Sequence, residues 1–553
     1  MFMTPRRPSF ALAVCIFMMC SFALAYESAH PWSVRPFSMD AKELYRQASE
    51  VPVAEGVFST VLDDEESYSF DHEGRWTLRQ YAVYKVCTQQ AVEGWSTIGA
   101  GWEPWHESRP RIRARVIAPD YSVHELDEKT LTDQPVQGEE TDLFSDARIV
   151  RGPLPAVEVG SVIEEEVDVQ ETTSAFSAGY VARNYFGRIS VPVQHTSFAV
   201  EAPSSLPMRF SRQLLPDVHP LREESNGRVR VVFEQGPVPA LEEPPDNLTS
   251  DVVSLPYIAF STGSSWHEVA QSYSALVEDR IAASDVAPEV RKLVKAGATR
   301  EEKIRSIVTY LNTQIRYTGV EFGSAAIIPH KPSETLARRY GDCKDKSTLL
   351  TAMLRSAGIE AHLALLRVGG RMNADSDLPG LGLFDHAIVY VPGDADLWID
   401  ATDGQARLGE LPVSDQDRLA LIMRPGSTEL VRTPLLPPSE NLQLEHREIY
   451  LADYGPARIV ERTEARGSLE SEYRRDFADD KNKKTRDNLT DYVKAQYLAN
   501  GLDRFERSDP KDFSRQFELI LESKKARRGF TDLTDAAAAT LPPQTNNRVA
   551  RRA

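Results

Sequence analysis

Cysteine is scarce in this chain, with only four in 553 residues. Two of them, Cys15 and Cys20, fall within the first 25 residues, which leaves Cys87 and Cys343 for the rest. Two cysteines make no disulfide framework, so the fold must rest on a packed core, which a chain of this length with 41% hydrophobic residues can build. Positive charge is also short. Lys and Arg number 64 against 82 Asp and Glu, giving −18, which argues against nucleic acid as a partner. The apolar run from Phe10 to Phe22 is too short for a comfortable membrane span. With Arg6 and Arg7 before it and Ala23-Leu24-Ala25 after it, the run reads as a secretory leader cleaved before Tyr26. The expected product is periplasmic or secreted, with no transmembrane helix left. A lipid anchor at Cys20 is the rival reading, disfavoured by the bulk of Met18 and Met19. His267, His330 and His362 lack the clustered spacing of a metal site, and no cofactor is expected.

What is present divides the chain. After the leader (1–25), strict alternation such as Arg111-Ile112-Arg113-Ala114-Arg115-Val116, and again at Val229, Val231 and Phe233, marks a β-rich, sandwich-like domain over 26–236. The arginine side of that first strand reads as a solvated face. Cys87 ends a strand-like run and reads as a buried core thiol. Prolines crowd 237–264, which reads as a stiff linker. Helical period follows in a core over 265–411, where Ser265 with Glu268 and Thr299 with Glu302 are capping boxes ahead of apolar stripes. Helices first and strands after give an α+β core. More prolines mark 412–440 as a second linker. A mixed β/α module over 441–530 holds strands at 447–450 and 457–463 and a helix over 487–498, and 531–553 reads as a mobile tail.

The stretch from Gly341 to Asp403 carries the chemistry. Asp342 is placed to cap the helix that Cys343 opens. Unpaired amides and the dipole at a helix N-terminus favour negative charge there, hence a thiolate. The strand-like runs Ala387 to Tyr390 and Leu397 to Ala401 flank Pro392-Gly393-Asp394, a turn signal. A hairpin centred on Gly393 sets His386 directly opposite Asp400, and a slip of one residue would separate them onto opposite faces. Cysteine, histidine and aspartate in that arrangement suit nucleophilic acyl transfer. Taken singly, each has a plainer reading as an inert thiol, a packed strand histidine and a strand-end carboxylate. Lys344, Asp345 and Lys346 read as solvated first-turn charges or as a source of positive potential near Cys343.

The run Tyr340-Gly341-Asp342-Cys343-Lys344-Asp345-Lys346, with His386 and Trp398-Ile399-Asp400-Ala401-Thr402 after it, resembles the transglutaminase-like core of the papain-type cysteine enzymes. The resemblance implies Cys343 as nucleophile, His386 as base and Asp400 as the acid that orients it. It also suggests Tyr317 beside the site as an oxyanion donor, although an ordinary packing tyrosine fits as well. Leu154-Pro155-Ala156-Val157-Glu158-Val159-Gly160-Ser161 resembles the uncharacterised domain that precedes such cores in exported bacterial proteins. Two functions follow as expectations. One is an exported thiol enzyme, a protease, amidase or transglutaminase, acting on a peptide or protein of the cell envelope through a thioester. The other is a catalytically silent binding or scaffolding protein built on the same core.

Overall fold

The computed structural model describes residues 35–136, 143–245, 248, 251–369, 372–478, 482–533 and 536–540. The expected leader, with Cys15 and Cys20, lies outside these residues, as does most of the expected tail. The part of the tail that is described includes a short strand, Ala537–Ala539, paired with the end of Phe517–Thr531. No described helix is long and apolar enough to cross a membrane.

Alternation in the N-terminal third produces the expected sandwich. Eight strands lie in the order Leu221–Ser225, Arg228–Gln235, Thr196–Pro203, Ser59–Phe70, Trp76–Val86, Val162–Gln170, Arg111–Ile117, Val123–Glu125. Neighbours are antiparallel except Ser59–Phe70 and Thr196–Pro203, which run parallel. One face packs on a smaller sheet of Val181–Tyr185, Tyr257–Ser261 and Arg209–Gln213. Aromatic rings fill the space between. The Phe260 ring lies 5.1 Å from Tyr68 and 5.8 Å from Phe198, centroid to centroid.

Helix Ala41–Glu50 covers part of the opposite face, setting Leu44 and Ala48 on Leu62, Tyr81, Val83 and Ile117. That cover corrects the solvated reading of the arginine face. Arg111 and Arg113 are exposed, but Arg115 is only 8% exposed, and its Nε donates to Glu164 Oε2 at 2.5 Å while Nη2 donates to the Met39 carbonyl at 2.9 Å. Cys87 is half-buried rather than buried, and burial pushes its thiol up. It and Cys343 are both free.

Both expected linkers prove to be structural. Tyr257–Ser261, inside 237–264, is fully buried and is the central strand of the smaller sheet. Ile258 and Phe260 enter the aromatic core while Tyr257 and Ala259 face Val181, Leu378 and Leu383, so the strand is apolar on both sides and shows no period of two. Likewise 412–440 holds Leu419–Ile422 and Val431–Arg432, the last two strands of the central sheet.

That central domain is α+β, as expected. Helices Trp266–Ala282, Ala287–Leu293, Arg300–Gln314, Pro332–Arg338 and Cys343–Ser356 precede an antiparallel sheet ordered Leu397–Ile399, His386–Val391, His362–Leu366, Leu419–Ile422, Val431–Arg432. Both capping residues act: Ser265 Oγ accepts from the Glu268 amide, and Thr299 with Glu302 forms a complete box. The third domain pairs Gln443–Tyr450, Gly455–Ala465, Phe517–Thr531 and Arg504–Arg507 in one sheet, with helices Ser468–Ala478 and Asn482–Tyr497. Arg407 of the central domain ties it on, its Nη2 donating to Glu470 Oε1 at 2.8 Å.

A side chain in a linker can be truncated almost freely, whereas Phe260 is fully buried. Phe260→Ala is expected to cost about 3–5 kcal/mol, measured as a lower midpoint in urea unfolding of the whole chain. A change under about 0.5 kcal/mol would restore the linker reading.

Candidate active site

Helix Cys343–Ser356 begins at a point fixed from several sides. Asp342 Oδ1 accepts from the Asp345 amide at 3.0 Å, the expected cap, and Oδ2 accepts from Lys344 Nζ. Lys344 also donates to Glu321 at 3.0 Å. Burial lowers the Lys344 pKa, but Asp342 and Glu321 outweigh it and the ammonium is held charged. Gly341 is required by a close approach: a Cβ there would stand 2.6 Å from the Asp345 Cβ and 3.0 Å from Thr335 Cγ2.

The three charges after Cys343 are not solvated. Lys344, Asp345 and Lys346 are 5%, 3% and 3% exposed, so their charges act as internal ties. Asp345 accepts from the His330 amide at 2.7 Å and from its Nδ1 at 3.0 Å, and Lys346 Nζ donates to the Ile315 carbonyl at 3.0 Å. Burial pushes the Lys346 ammonium down to about 8.

The histidine and aspartate come from the hairpin, in a register that differs from expectation. Pairs Val389–Ile399, Tyr390–Trp398 and Val391–Leu397 centre it on Asp394, so the residue opposite Asp400 would be Ile388, not His386. The slip moves the partner by two positions, which keeps both side chains on one face because the pleat repeats every two residues. His386 Nε2 stands 3.3 Å from Asp400 Oδ2 as a diagonal neighbour. Asp400 Oδ1 accepts from the Thr402 amide at 2.7 Å and its hydroxyl at 2.8 Å, which fixes the carboxylate. Ser347 Oγ donates to the Ala387 carbonyl at 2.8 Å and ties the cysteine helix to the histidine strand.

Electrostatics follow from this packing. Burial works against the charged ring of His386, but Asp400 and the neighbouring Cys343 outweigh it and raise its pKa well above the usual value. Burial pushes the Asp400 carboxyl up, and the imidazolium and Thr402 outweigh that, leaving it at about 2. His386 thus has Cys343 and Asp400 as neighbours, an arrangement that can move a proton from sulfur and hold the resulting charge pair.

Cys343 and His386 line one cleft of about 440 Å³, while Asp400 lies behind them at 7% exposure. Its walls come from two domains. Trp76, Phe176 and Tyr180 belong to the N-terminal domain, and Tyr273, Leu381 and Phe384 to the central one. Tyr317 is not among the lining residues. It is 37% exposed, on a short strand whose backbone pairs with Gly341. Of the tyrosines that do line the cleft, Tyr180 and Tyr273, the one from the central domain is Tyr273, whose hydroxyl donates to the Ile327 carbonyl at 2.7 Å. Its sequence signal, one position in an apolar helical stripe, marked it only as core.

Nothing in the sequence pointed to Asp415. It lies in the stretch read as a linker, is 1% exposed, and brings Oδ2 to 3.9 Å from His386 Nε2. His267, His330 and His362 have separate partners: the Ser427 carbonyl, Asp345 and Glu360. Among the described residues the one trio of acid and imidazole side chains whose polar atoms lie within 4.8 Å of one another is His386, Asp400 and Asp415.

Residues 289–401 match the model of the transglutaminase-like superfamily, and residues 72–242 match that of a domain of unknown function with a solved structure, DUF3857. Among curated proteins, none matches this chain. Among solved structures, a putative protease from Parabacteroides distasonis ATCC 8503 shares the fold, with a TM-score of 0.56 over 84% of this chain and 93% of that one at 11% identity. A putative nutrient binding protein from Legionella pneumophila aligns over 56% of this chain and 96% of that one at 9% identity, but its TM-score of 0.21 carries no inference. The same holds for an M1 zinc metallopeptidase from Deinococcus radiodurans, which aligns over 36% of this chain and 42% of that one at 12% identity with a TM-score of 0.19. The chain thus carries a region that matches the DUF3857 domain, followed by a core that matches the transglutaminase-like superfamily.

Proposed function

We propose that the protein is an exported thiol enzyme that transfers the acyl group of a peptide amide through a thioester on Cys343. The observation that carries this reading is that Cys343 and His386 line the same cleft, with Asp400 Oδ2 3.3 Å from the His386 ring. The thiolate attacks the carbonyl carbon and the carbonyl π pair moves onto oxygen. Helix geometry leaves the Cys343 amide without an intrahelical acceptor, so it can donate to that oxyanion. Collapse breaks the C–N bond, and the leaving amine takes its proton from His386. His386 then accepts a proton from water, the hydroxide adds to the thioester, and a second collapse returns the thiolate and releases the acid. An amine in place of water gives transamidation by the same steps.

The cleft supports a substrate class. Apolar and aromatic side chains from two domains, Trp76, Phe176, Tyr180, Tyr273, Leu381 and Phe384 among them, line the cleft with the reacting pair, which suits a peptide with a bulky apolar residue beside the scissile bond. On this reading the N-terminal domain contributes recognition, and its share of the wall explains why it accompanies the core.

Profiling the purified protein against peptide and cell-wall libraries should yield products that Cys343→Ala does not form. No Cys343-dependent product from any library would leave the silent binding reading in its place. Phe176→Ala should lower kcat/KM for a substrate so found by roughly tenfold, mainly through KM, since removing an apolar side chain from a pocket weakens binding by about that much. An unchanged KM would remove the N-terminal domain from recognition.

The charge pair has its own readout. A free thiol titrates near about 8.5 and is almost all protonated at pH 6. Wild type should be alkylated at Cys343 by iodoacetamide at pH 6, and His386→Ala should slow that reaction by about tenfold or more. Equal rates in the two would separate Cys343 from His386 and overturn the mechanism.

A further inference from the structure

The carboxyl of Asp415 has a place in this site that the thiol mechanism does not use. Its Oδ1 accepts from Ser414 Oγ at 2.7 Å, and its carbonyl accepts from Thr433 Oγ1 at 2.5 Å, so backbone and one oxygen are fixed. Oδ2 is buried and has no hydrogen-bond donor. It lies 3.9 Å from His386 Nε2, a nitrogen that stands nearer to Asp400 Oδ2, at 3.3 Å. The remaining neighbour is Asp400 itself, an acceptor. Two carboxylates buried side by side with one imidazolium between them repel each other, and one of them relieves this by keeping a proton.

We propose that Asp415 is a positioning residue of the thiol site: as a carboxylic acid it donates its proton to Asp400 and so holds Asp400 against the His386 ring. This rests on the thiol reading above and goes beyond it, because a triad requires only one carboxylate. The groups that face the cluster agree with the assignment of the proton. His386 comes from its strand, Asp400 from the hairpin end, and Lys346 from the cysteine helix acts on Asp400. Asp403 adds negative charge toward Asp400. Arg418, on the Asp415 segment, also faces Asp385, Asp251 and Asp417, and its Nε is engaged by the Ser414 carbonyl at 3.1 Å. Of the two carboxyls, Asp400 has the Thr402 bonds and the nearer ring nitrogen, so it is the one that ionises. Burial and the Asp400 charge push Asp415 up to about 7.

The arrangement gives the site a pH response. Below about 7 the cluster is neutral in sum, one imidazolium with one carboxylate and one acid. Above it Asp415 ionises, loses the bond it donates, and adds a second negative charge behind the ring. That charge makes the imidazolium harder to deprotonate, which opposes the step in which His386 gives its proton to the leaving amine.

The test is Cys343 alkylation by iodoacetamide from pH 5 to 9, in EDTA, for wild type, Asp415→Asn, Asp415→Ala and His386→Ala. Wild type should show an inflection near 7 besides the main transition, and both Asp415 variants should lack it. Asp415→Ala should slow alkylation at pH 6 by about tenfold, one unit of midpoint, because Asp400 loses its donor. Asp415→Asn, whose amide can donate in place of the carboxyl, should recover most of that loss. Asp415 variants that retain the wild-type profile overturn the proposal, as does an asparagine variant no better than alanine. If alanine prevents folding, the inflection and the asparagine variant decide. An unchanged profile in His386→Ala would instead overturn the thiol reading itself, so the two failures are distinct.

Discussion

One carboxylate at the mouth of the cysteine helix, Asp342, determines where the Cys343 thiol stands. It is 1% exposed and both its oxygens are engaged, one by the Asp345 amide and one by the Lys344 ammonium. A buried ion pair of this kind stabilises little by itself, since desolvation of both partners offsets the attraction. Its effect is on geometry. Removing either partner would leave the other charged and dry, so the helix start, the Lys344 to Glu321 tie and the strand beside Gly341 are held as one arrangement.

The same logic runs through the site. Asp345, Lys346, Asp400 and Asp415 are all largely withdrawn from water, and each is held by partners on another element. Cys343 and His386, with Lys344 and Glu321, are the members of this network that line the cleft. Polar groups that would be unfavourable singly are placed in pairs. The ring nitrogen that faces Cys343 is thereby determined by what the other nitrogen faces.

Much of this could be read from residues alone, for physical reasons that also explain what could not. The cap at Asp342 is local, a matter of three residues, and was legible. The His386 and Asp400 pair was legible in face but not in register: turn residues locate a hairpin to within a residue or two, and only parity survives that error. Proline content misled at 237–264 and 412–440, because a strand buried on both sides, such as Tyr257–Ser261, has no alternation to mark it. Asp415 was lost with the second of these. Arg115 looked solvated because the helix that covers it comes from about seventy residues earlier, and no local pattern reports such cover.

The strand Tyr257–Ser261 has a consequence for how such a protein can change by recombination. It leaves the N-terminal sheet only five residues before helix Trp266–Ala282 begins, and Gly263 packs so closely on the Pro379 carbonyl that a Cβ there would come within 2.3 Å of the oxygen. The boundary between the two matched regions is therefore not a free joint. A crossover placed in the proline-rich stretch would deliver a new core together with a foreign central strand for the old sandwich. Exchange between relatives has to carry both regions as one unit, and the cleft they share is inherited whole.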